Sequence, residues 1–265
     1  MKINKTTIKS LTNLYTHPSA ILFRAIELAT IFKNIQYLKL KQPSLDIGCG
    51  DGKIAQLLFD SQFTYGVDNG EAKDVQEAID NKIYGQVFLE SAEKMSLPNK
   101  SVDFIFSNCV IEHIPDNNAV LGEVSRLLRK GGDFIFTVPS HHYPNFLYLT
   151  NKFASIGLGS VSRMYKYRRN KMLNQFHCYS VEDWQKKLTR FGLKIVKSQY
   201  YVSKTTLMLW DKMALQIFLL RPFMGKKADR MVFRHHKKQI VRAYSRDIES
   251  NDYAGAGLFI HCRKT

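Results

Sequence analysis

Cysteine is scarce and scattered in this chain: Cys49, Cys109, Cys178 and Cys262 lie far apart, and no two form a CxxC pair. That spacing supports neither a zinc cluster nor a disulfide framework, so reduced thiols in a cytoplasmic setting are expected. Long hydrophobic runs are missing too. The most apolar early stretch, 20–32, is interrupted by Arg24 and Glu27 and is followed by no small-residue cleavage site, which argues against a signal peptide. The run 205–220 falls short of the ~20 residues that a bilayer span requires. It also carries Asp211 and Lys212 at its centre, so no transmembrane segment is expected. With no internal repeat and no low-complexity linker, residues 1–265 are expected to form a single domain with insertions. Acids run out in the second half: residues 1–140 hold 15 basic and 16 acidic side chains, whereas 141–265 hold 24 and 7, so the net charge of +16 belongs almost wholly to the latter.

What is present is ordinary globular composition, 45% hydrophobic and 23% charged over 265 residues, enough to bury a sizeable core. Ile21, Ala25 and Leu28 with Leu22, Ile26 and Ala29 recur at helical spacing after Pro18-Ser19, with Arg24 and Glu27 on the other side, and predict a core-packed helix. Ser44 to Ile47 predicts a strand, Gly48-Cys49-Gly50-Asp51-Gly52 a turn, and Ile54, Leu57 and Leu58 the opening of a helix. Further strands are expected over 64–68, 102–107, 134–138, 193–201 and 257–262. Val120, Val124, Leu127 and Leu128 mark a helix stopped by Lys130-Gly131-Gly132, and 181–191 marks another stopped by Gly192. Strands alternating with helices imply an α/β fold, a doubly wound, mostly parallel sheet covered on both faces. Residues 40–140 form its core, while 141–176, rich in Tyr, Arg and Lys, and 203–250 are helical insertions, expected as a positively charged cap.

Three glycines directly after a strand let the backbone pass close to a ligand, because a Cβ at any of them would collide with it. The spacing here is G-x-G-x-G, without the third glycine of the dinucleotide fingerprint, and no G-K-[ST] completes a Walker loop. Asp68 follows at the end of the next strand, about 20 residues beyond the loop, where a carboxylate suits the two hydroxyls of a ribose. The bland alternative for Asp68 is a turn or helix-capping acid. Asp46, at the end of the first strand, is costly to bury without hydrogen-bonded partners.

Leu45-Asp46-Ile47-Gly48-Cys49-Gly50-Asp51-Gly52 resembles the S-adenosylmethionine-binding loop of class I methyltransferases, and the other elements of that family follow in order. Gly66-Val67-Asp68 resembles the second-strand end whose acid holds the ribose. Ser91-Ala92-Glu93 with Leu97-Pro98 resembles the adenine-contacting turn. The stretch from Ser107-Asn108-Cys109-Val110 to Ile111-Glu112-His113-Ile114 resembles the fourth strand and its loop. Arg126-Leu127-Leu128-Arg129-Lys130-Gly131-Gly132 resembles the R-x-L-K-P-G-G turn, with Lys130 where proline is usual. The likeness is good over roughly 40–140 and weaker beyond. It implies a seven-stranded Rossmann-like sheet and S-adenosylmethionine as cofactor, held by Asp46, Gly48, Gly50, Gly52, Asp68, Asn69, Ala92, Glu93 and Asn108. Asp46 is then expected to face the loop amides and the cofactor's amino group, and the N-terminal helix to close the cofactor edge.

Methyl transfer from a sulfonium needs little acid–base machinery when the acceptor is an anion, whereas a neutral hydroxyl needs a base. Histidine suits that task, and His113, His141 with His142, and His177 all fall on loops expected at the carboxyl ends of the strands. His113 stands first because Glu112-His113-Ile114 resembles an element of the ubiquinone-biosynthesis type of methyltransferase. His177 and His141 follow, and for each a plain loop histidine is the alternative. No Asp or Glu at ligand spacing accompanies the adjacent pair, so no metal is expected. Residues 221–246 hold nine Lys or Arg and one acid, Asp229. They fit an amphipathic helix whose charged face is solvated, contacts anionic lipid at a membrane periphery, or attracts a phosphate-bearing substrate. The expected activity is O-methylation of a small or lipid-linked anionic metabolite. RNA methylation is the rival, using the basic half and the mixture of aromatics and cations at 163–169. Against it, the loop after the fourth strand lacks the Asn/Asp-Pro-Pro-aromatic element, and no RNA-binding module is recognisable. A third possibility is a non-catalytic, cofactor-binding assembly partner.

Overall fold

The computed structural model of the protein describes residues 17–249 and 254–265. In chain order the elements are α1 (Pro18–Ile35), β1 (Ser44–Ile47), α2 (Lys53–Leu58), β2 (Phe63–Asp68), α3 (Ala72–Asp80), β3 (Tyr84–Leu89) and β4 (Val102–Asn108). They continue with α4 (Asn117–Leu127), β5 (Leu128–Pro139), α5 (Tyr143–Phe146), α6 (Tyr148–Ser155), α7 (Gly159–Met172), α8 (Val181–Thr189), β6 (Leu193–Tyr201), α9 (Lys204–Met224), α10 (Lys227–Glu249) and β7 (Gly257–Lys264). The chain divides into two compact units. One carries the sheet and comprises Tyr37–Pro139, Asn174–Ser198 and Leu258–Thr265. The other is helical and comprises the described residues up to Gln36, Ser140–Leu173 and Gln199–Gly257.

The seven strands lie in the order β3-β2-β1-β4-β5-β7-β6, as the doubly wound, mostly parallel expectation requires. β1 pairs in parallel with β2 on one side and β4 on the other, Leu45 lying opposite both Tyr65 and Ile105. The order reverses at β1, and open α/β sheets bind ligands beyond the carboxyl ends of the strands at such a reversal. All four residues of β1 are buried. Beneath the sheet, Phe59, Phe63, Phe104 and Phe106 meet with ring centroids 5.0 to 6.5 Å apart, the edge-on and tilted contacts that aromatic quadrupoles favour. Asp116 caps α4 by accepting from the amides of Asn118 and Ala119, and Ser180 caps α8 through Asp183.

Two elements were not placed from their residues, α3 and β3, although the resemblance implied a seventh strand. Helix α4 stops at Leu127 rather than continuing to the glycine pair, and β5 begins at Leu128, with a register irregularity against β4 between Val102 and Phe104. There Gly131 takes φ +76°, so the pair that reads as a helix stop instead serves the irregular opening of a strand.

In the helical unit, α1 packs on α9 and α10 through the expected stripe of Ile21, Leu22, Ala25, Ile26 and Leu28. Glu27, expected on the solvent side, is 0% exposed. Its carboxylate pairs with Arg24 and accepts the Tyr201 hydroxyl at 2.7 Å, which makes its burial tolerable. Asp211 likewise stays buried in the middle of α9 because it accepts the Tyr148 amide and the Tyr165 hydroxyl, both at 2.9 Å, and pairs with Arg169 at 3.0 Å. Among the described residues no helix is long and apolar enough to cross a membrane.

Candidate functional site

At the end of β1 the chain bends through Gly48, Gly50 and Gly52, with φ of +74°, +49° and +76°, a region only glycine enters freely. The amides of Gly48 and Cys49 both donate to the Val67 carbonyl, at 2.8 and 3.1 Å, tying the bend to β2. The three glycines do different work. A Cβ on Gly48 would sit 2.2 Å from Val110 Cγ2, and one on Gly52 would meet Ile83 Cδ1 at 2.6 Å. Those two collisions are with protein, not with a ligand as the spacing alone suggested. Only at Gly50 does the missing Cβ face open space, with nothing within 4 Å.

Asp68, at the carboxyl end of β2, accepts the Gly50 amide at 2.8 Å on one oxygen and the Gly70 amide at 2.6 Å on the other. A carboxylate offers about four lone-pair sites, so both oxygens retain capacity for a further donor. Asp46 is placed differently from expectation. It is buried and accepts the Tyr84 hydroxyl at 2.7 Å, and it receives none of the loop amides. Burial, reinforced by the nearby Asp68 charge and opposed by the Tyr84 hydrogen bond, pushes its pKa up to about 7. Burial next to these acids also raises the Cys49 thiol, which is therefore an inert packing group. The sign of the linkage for Asp46 is fixed. Between the unfolded carboxyl pKa near 3.8 and about 7, the unfolded chain has lost a proton that the folded chain keeps, so stability falls as pH rises across that window. Asp46→Asn, which keeps an acceptor for Tyr84, is expected to remove that fall. Urea unfolding at pH 4.5 and 7.5 checks this, and an unchanged pH dependence in the variant would refute it.

Beyond the bend a cavity of about 280 Å³ opens in the sheet-bearing unit. Of the residues expected to form a site, it gathers Gly48, Asp68, Asn69, Ala92, Glu93 and His113, and adds Glu90, Cys109, Val110, Ile114 and Pro115. Cys109 holds φ +52°, a strained conformation for a residue with a Cβ, of the kind that collects at ligand sites. Asn108 does not line the cavity: its amide donates to the Thr137 hydroxyl at 2.5 Å and braces β4 against β5.

The three histidines separate clearly. His113 lies on a short 3-10 turn, Ile111–His113, with Nδ1 3.0 Å from the Asn174 carbonyl. A carbonyl can only accept, so Nδ1 is the donor, and in the neutral imidazole the lone pair is then on Nε2, the tautomer a base requires. Nε2 is 3.7 Å from the buried Glu112 carboxylate. His177 sets Nε2 2.9 Å from the Ile114 carbonyl and 3.0 Å from that of Pro115, and Nδ1 3.0 Å from the Tyr179 hydroxyl. Both its nitrogens are engaged, so it braces the turn that carries His113 and has no lone pair left for a substrate. Phe176 adds a further strut through its amide to the Glu112 carbonyl at 2.9 Å. His141 falls in the helical unit, its ring tilted against that of His142 with centroids 3.8 Å apart, and is not among the cavity residues. Burial and the adjacent His141 lower the pKa of His142.

Comparison with known proteins agrees with this arrangement. Residues 45–136 match the family model described as a methyltransferase domain. Over 108 residues the chain is 34% identical to an arsenite methyltransferase of Aquipseudomonas alcaligenes, covering 35% of this chain and 31% of that protein. It is 25% identical over 99 residues to the trans-aconitate 2-methyltransferase of Rhizobium rhizogenes, covering 37% and 39%. The chain thus spans about a third of the length of these curated relatives. A solved SAM-dependent methyltransferase of Thermotoga maritima shares the fold, with TM-score 0.57 and 18% identity over 92% of each chain. A phosphoethanolamine N-methyltransferase of Haemonchus contortus, which shares the fold at TM-score 0.56 and 19% identity, is solved with S-adenosylmethionine bound, and the site here suits that molecule: a carboxylate with spare acceptor capacity beside a bend whose missing Cβ opens onto free space. Residues 45–136, with their glycine bend, Asp68 and the His113 turn around one cavity, thus match a methyltransferase domain, and the chain shares the fold of solved methyltransferases.

Proposed function

We propose that the protein transfers a methyl group to an oxygen of a small or lipid-linked anionic acceptor, with His113 as the base where the acceptor is a hydroxyl. The observation that carries this reading is that Asp68, Asn69, Glu93 and His113 line the same cavity. Bound cofactor supplies an electrophilic methyl on a sulfonium sulfur. Asp68 accepts the ribose hydroxyls, while Ala92 and Glu93 border the adenine and Asn69 the sugar. Nε2 of His113 takes the proton of a neutral hydroxyl. With a carboxylate as acceptor, orientation and water exclusion suffice, since positioning alone recovers roughly 7–11 kcal/mol of barrier. Trans-aconitate, named in one relative, is such a carboxylate. The cations of 141–176 and 203–250 favour an anionic acceptor, and those of 221–246 favour contact with an anionic membrane surface.

Gly50→Val tests the cofactor half of this reading. A Cβ at this position meets nothing within 4 Å, and the cost of a branched residue at positive φ, roughly 1–3 kcal/mol, leaves the sheet folded. Calorimetry is expected to show no binding of S-adenosylmethionine, and unchanged affinity would remove the bend from the site. A labelled methyl donor with metabolite extracts tests the catalytic half, where binding without any product would favour an assembly partner. Methyl incorporation into transcripts, with RNA affinity falling steeply as salt rises, would favour the RNA rival.

A further inference from the structure

The helical unit carries a second cavity, a groove of about 360 Å³ along the α9–α10 hairpin. Met208, Leu209 and Ala243 give it apolar walls, and Lys212 and Arg242 reach it from the two helices. Neighbouring Arg246 is tied to Asp247 at 3.0 Å and to Thr206 at 2.5 Å. Lys212 and Arg242, by contrast, are exposed and have no carboxylate within ion-pair distance among the described residues. Helical spacing places Leu219 and Phe223 on the same stripe of α9 as Met208 and Lys212, at intervals of four, seven and four residues. Leu219 is 65% exposed and Phe223 87%. Arg221, Lys226, Lys227 and Arg230, all exposed, neighbour this apolar tip in the sequence, Arg221 being paired with Asp229 at 3.6 Å. One face therefore runs from bare aromatic and aliphatic side chains to a groove that Lys212 and Arg242 reach without an ion pair among the described residues, about 16 Å along the helix from Phe223 to Lys212. This is the distribution of a helix that rests on a lipid surface, apolar groups among the acyl chains and cations at the headgroups.

We propose that the α9–α10 hairpin docks on an anionic membrane, with Lys212 and Arg242 taking a lipid phosphate in the groove while Leu219 and Phe223 enter the interface. Charge complementarity selects this occupant, because a second copy of the chain would bring one cationic tip against another. The inference deepens the membrane contact proposed for 221–246 and requires no step of methyl transfer.

Flotation with phosphatidylcholine vesicles, with and without phosphatidylglycerol, tests it. The protein is expected to float only with the anionic vesicles. At about fivefold per cation, Lys212→Gln with Arg242→Gln is expected to weaken binding roughly thirtyfold, and Leu219→Ser with Phe223→Ser by tenfold or more. Both double variants retain wild-type calorimetric affinity for S-adenosylmethionine. Equal flotation with neutral vesicles, no flotation with anionic ones, or variants that bind as wild type would overturn the proposal. So would binding of soluble glycerol phosphate through Lys212 and Arg242 without vesicle association, or light scattering showing a dimer that the Leu219→Ser, Phe223→Ser variant abolishes. Loss of S-adenosylmethionine binding by the wild-type protein would instead strike the methyltransferase reading alone.

Discussion

Asp68→Ala is expected to lower S-adenosylmethionine affinity by about 10²- to 10⁴-fold, measured calorimetrically, with the sheet still folded. Two hydrogen bonds to a charged acceptor are lost, each worth roughly 1.5–3 kcal/mol. The amides of Gly50 and Gly70 lose their acceptor at the same time. Asp68→Asn keeps one acceptor oxygen and should fall between the alanine variant and wild type. Glu90 is the internal control. It also lines the cavity, but its carboxylate already takes the Ser96 amide and hydroxyl at 3.0 to 3.2 Å, so Glu90→Gln should change affinity little. If Asp68→Ala binds within threefold of wild type while Glu90→Gln does not, the sugar is held by Glu90 and the assignment of Asp68 fails.

His113→Ala is expected to reduce kcat by about 10²- to 10⁴-fold when the acceptor is a hydroxyl, the usual contribution of a positioned base, with cofactor affinity unchanged. The comparison that makes this informative is His177→Phe. That variant removes the hydrogen bonds to the Ile114 and Pro115 carbonyls but no lone pair that could meet substrate. Its effect should be smaller and should appear in KM as well as kcat, because the turn carrying His113 loosens. Equal losses in the two variants would mean that His113 also acts only as a support. No loss in either, with turnover intact, would identify an acceptor that is already an anion.

Elements with dense apolar patterns could be recognised from their residues alone. β1, β4 and the stripes of α1 and α4 fall where Leu45, Ile47, Phe104, Ile105, Val120 and Val124 put them, since burial demands those side chains. α3 and β3 could not be read in this way. They lie at the open edge of the sheet, where Val75 and Ala78 are the only buried side chains among those described in α3 and β3 buries only Tyr84, so neither carries a strong period. The cavity was legible wherever a local motif met the switch point, at Gly48, Asp68, Ala92, Glu93 and His113. It was illegible where a partner came from far along the chain. Tyr84 captures Asp46 across 38 residues, and His177 captures the Ile114 carbonyl across 63. Nothing in the immediate sequence around Asp46 or His177 announces those pairings. Glu27 shows the same limit, because its helical position suggests solvent while Tyr201, 174 residues away, supplies a buried partner.

The hydrogen bond from the Gly50 amide to Asp68 joins two parts of the protein itself. A glycine-rich segment is ordinarily the most mobile part of a chain, and ordering one residue costs about 1–2 kcal/mol. Here that ordering is met on folding, so a nucleoside arriving at the bend finds its shape already set and contact energy is not spent on freezing the loop. Association should therefore resemble the filling of a rigid mould, with its selectivity arising from which molecules fit and not from which can induce the fit.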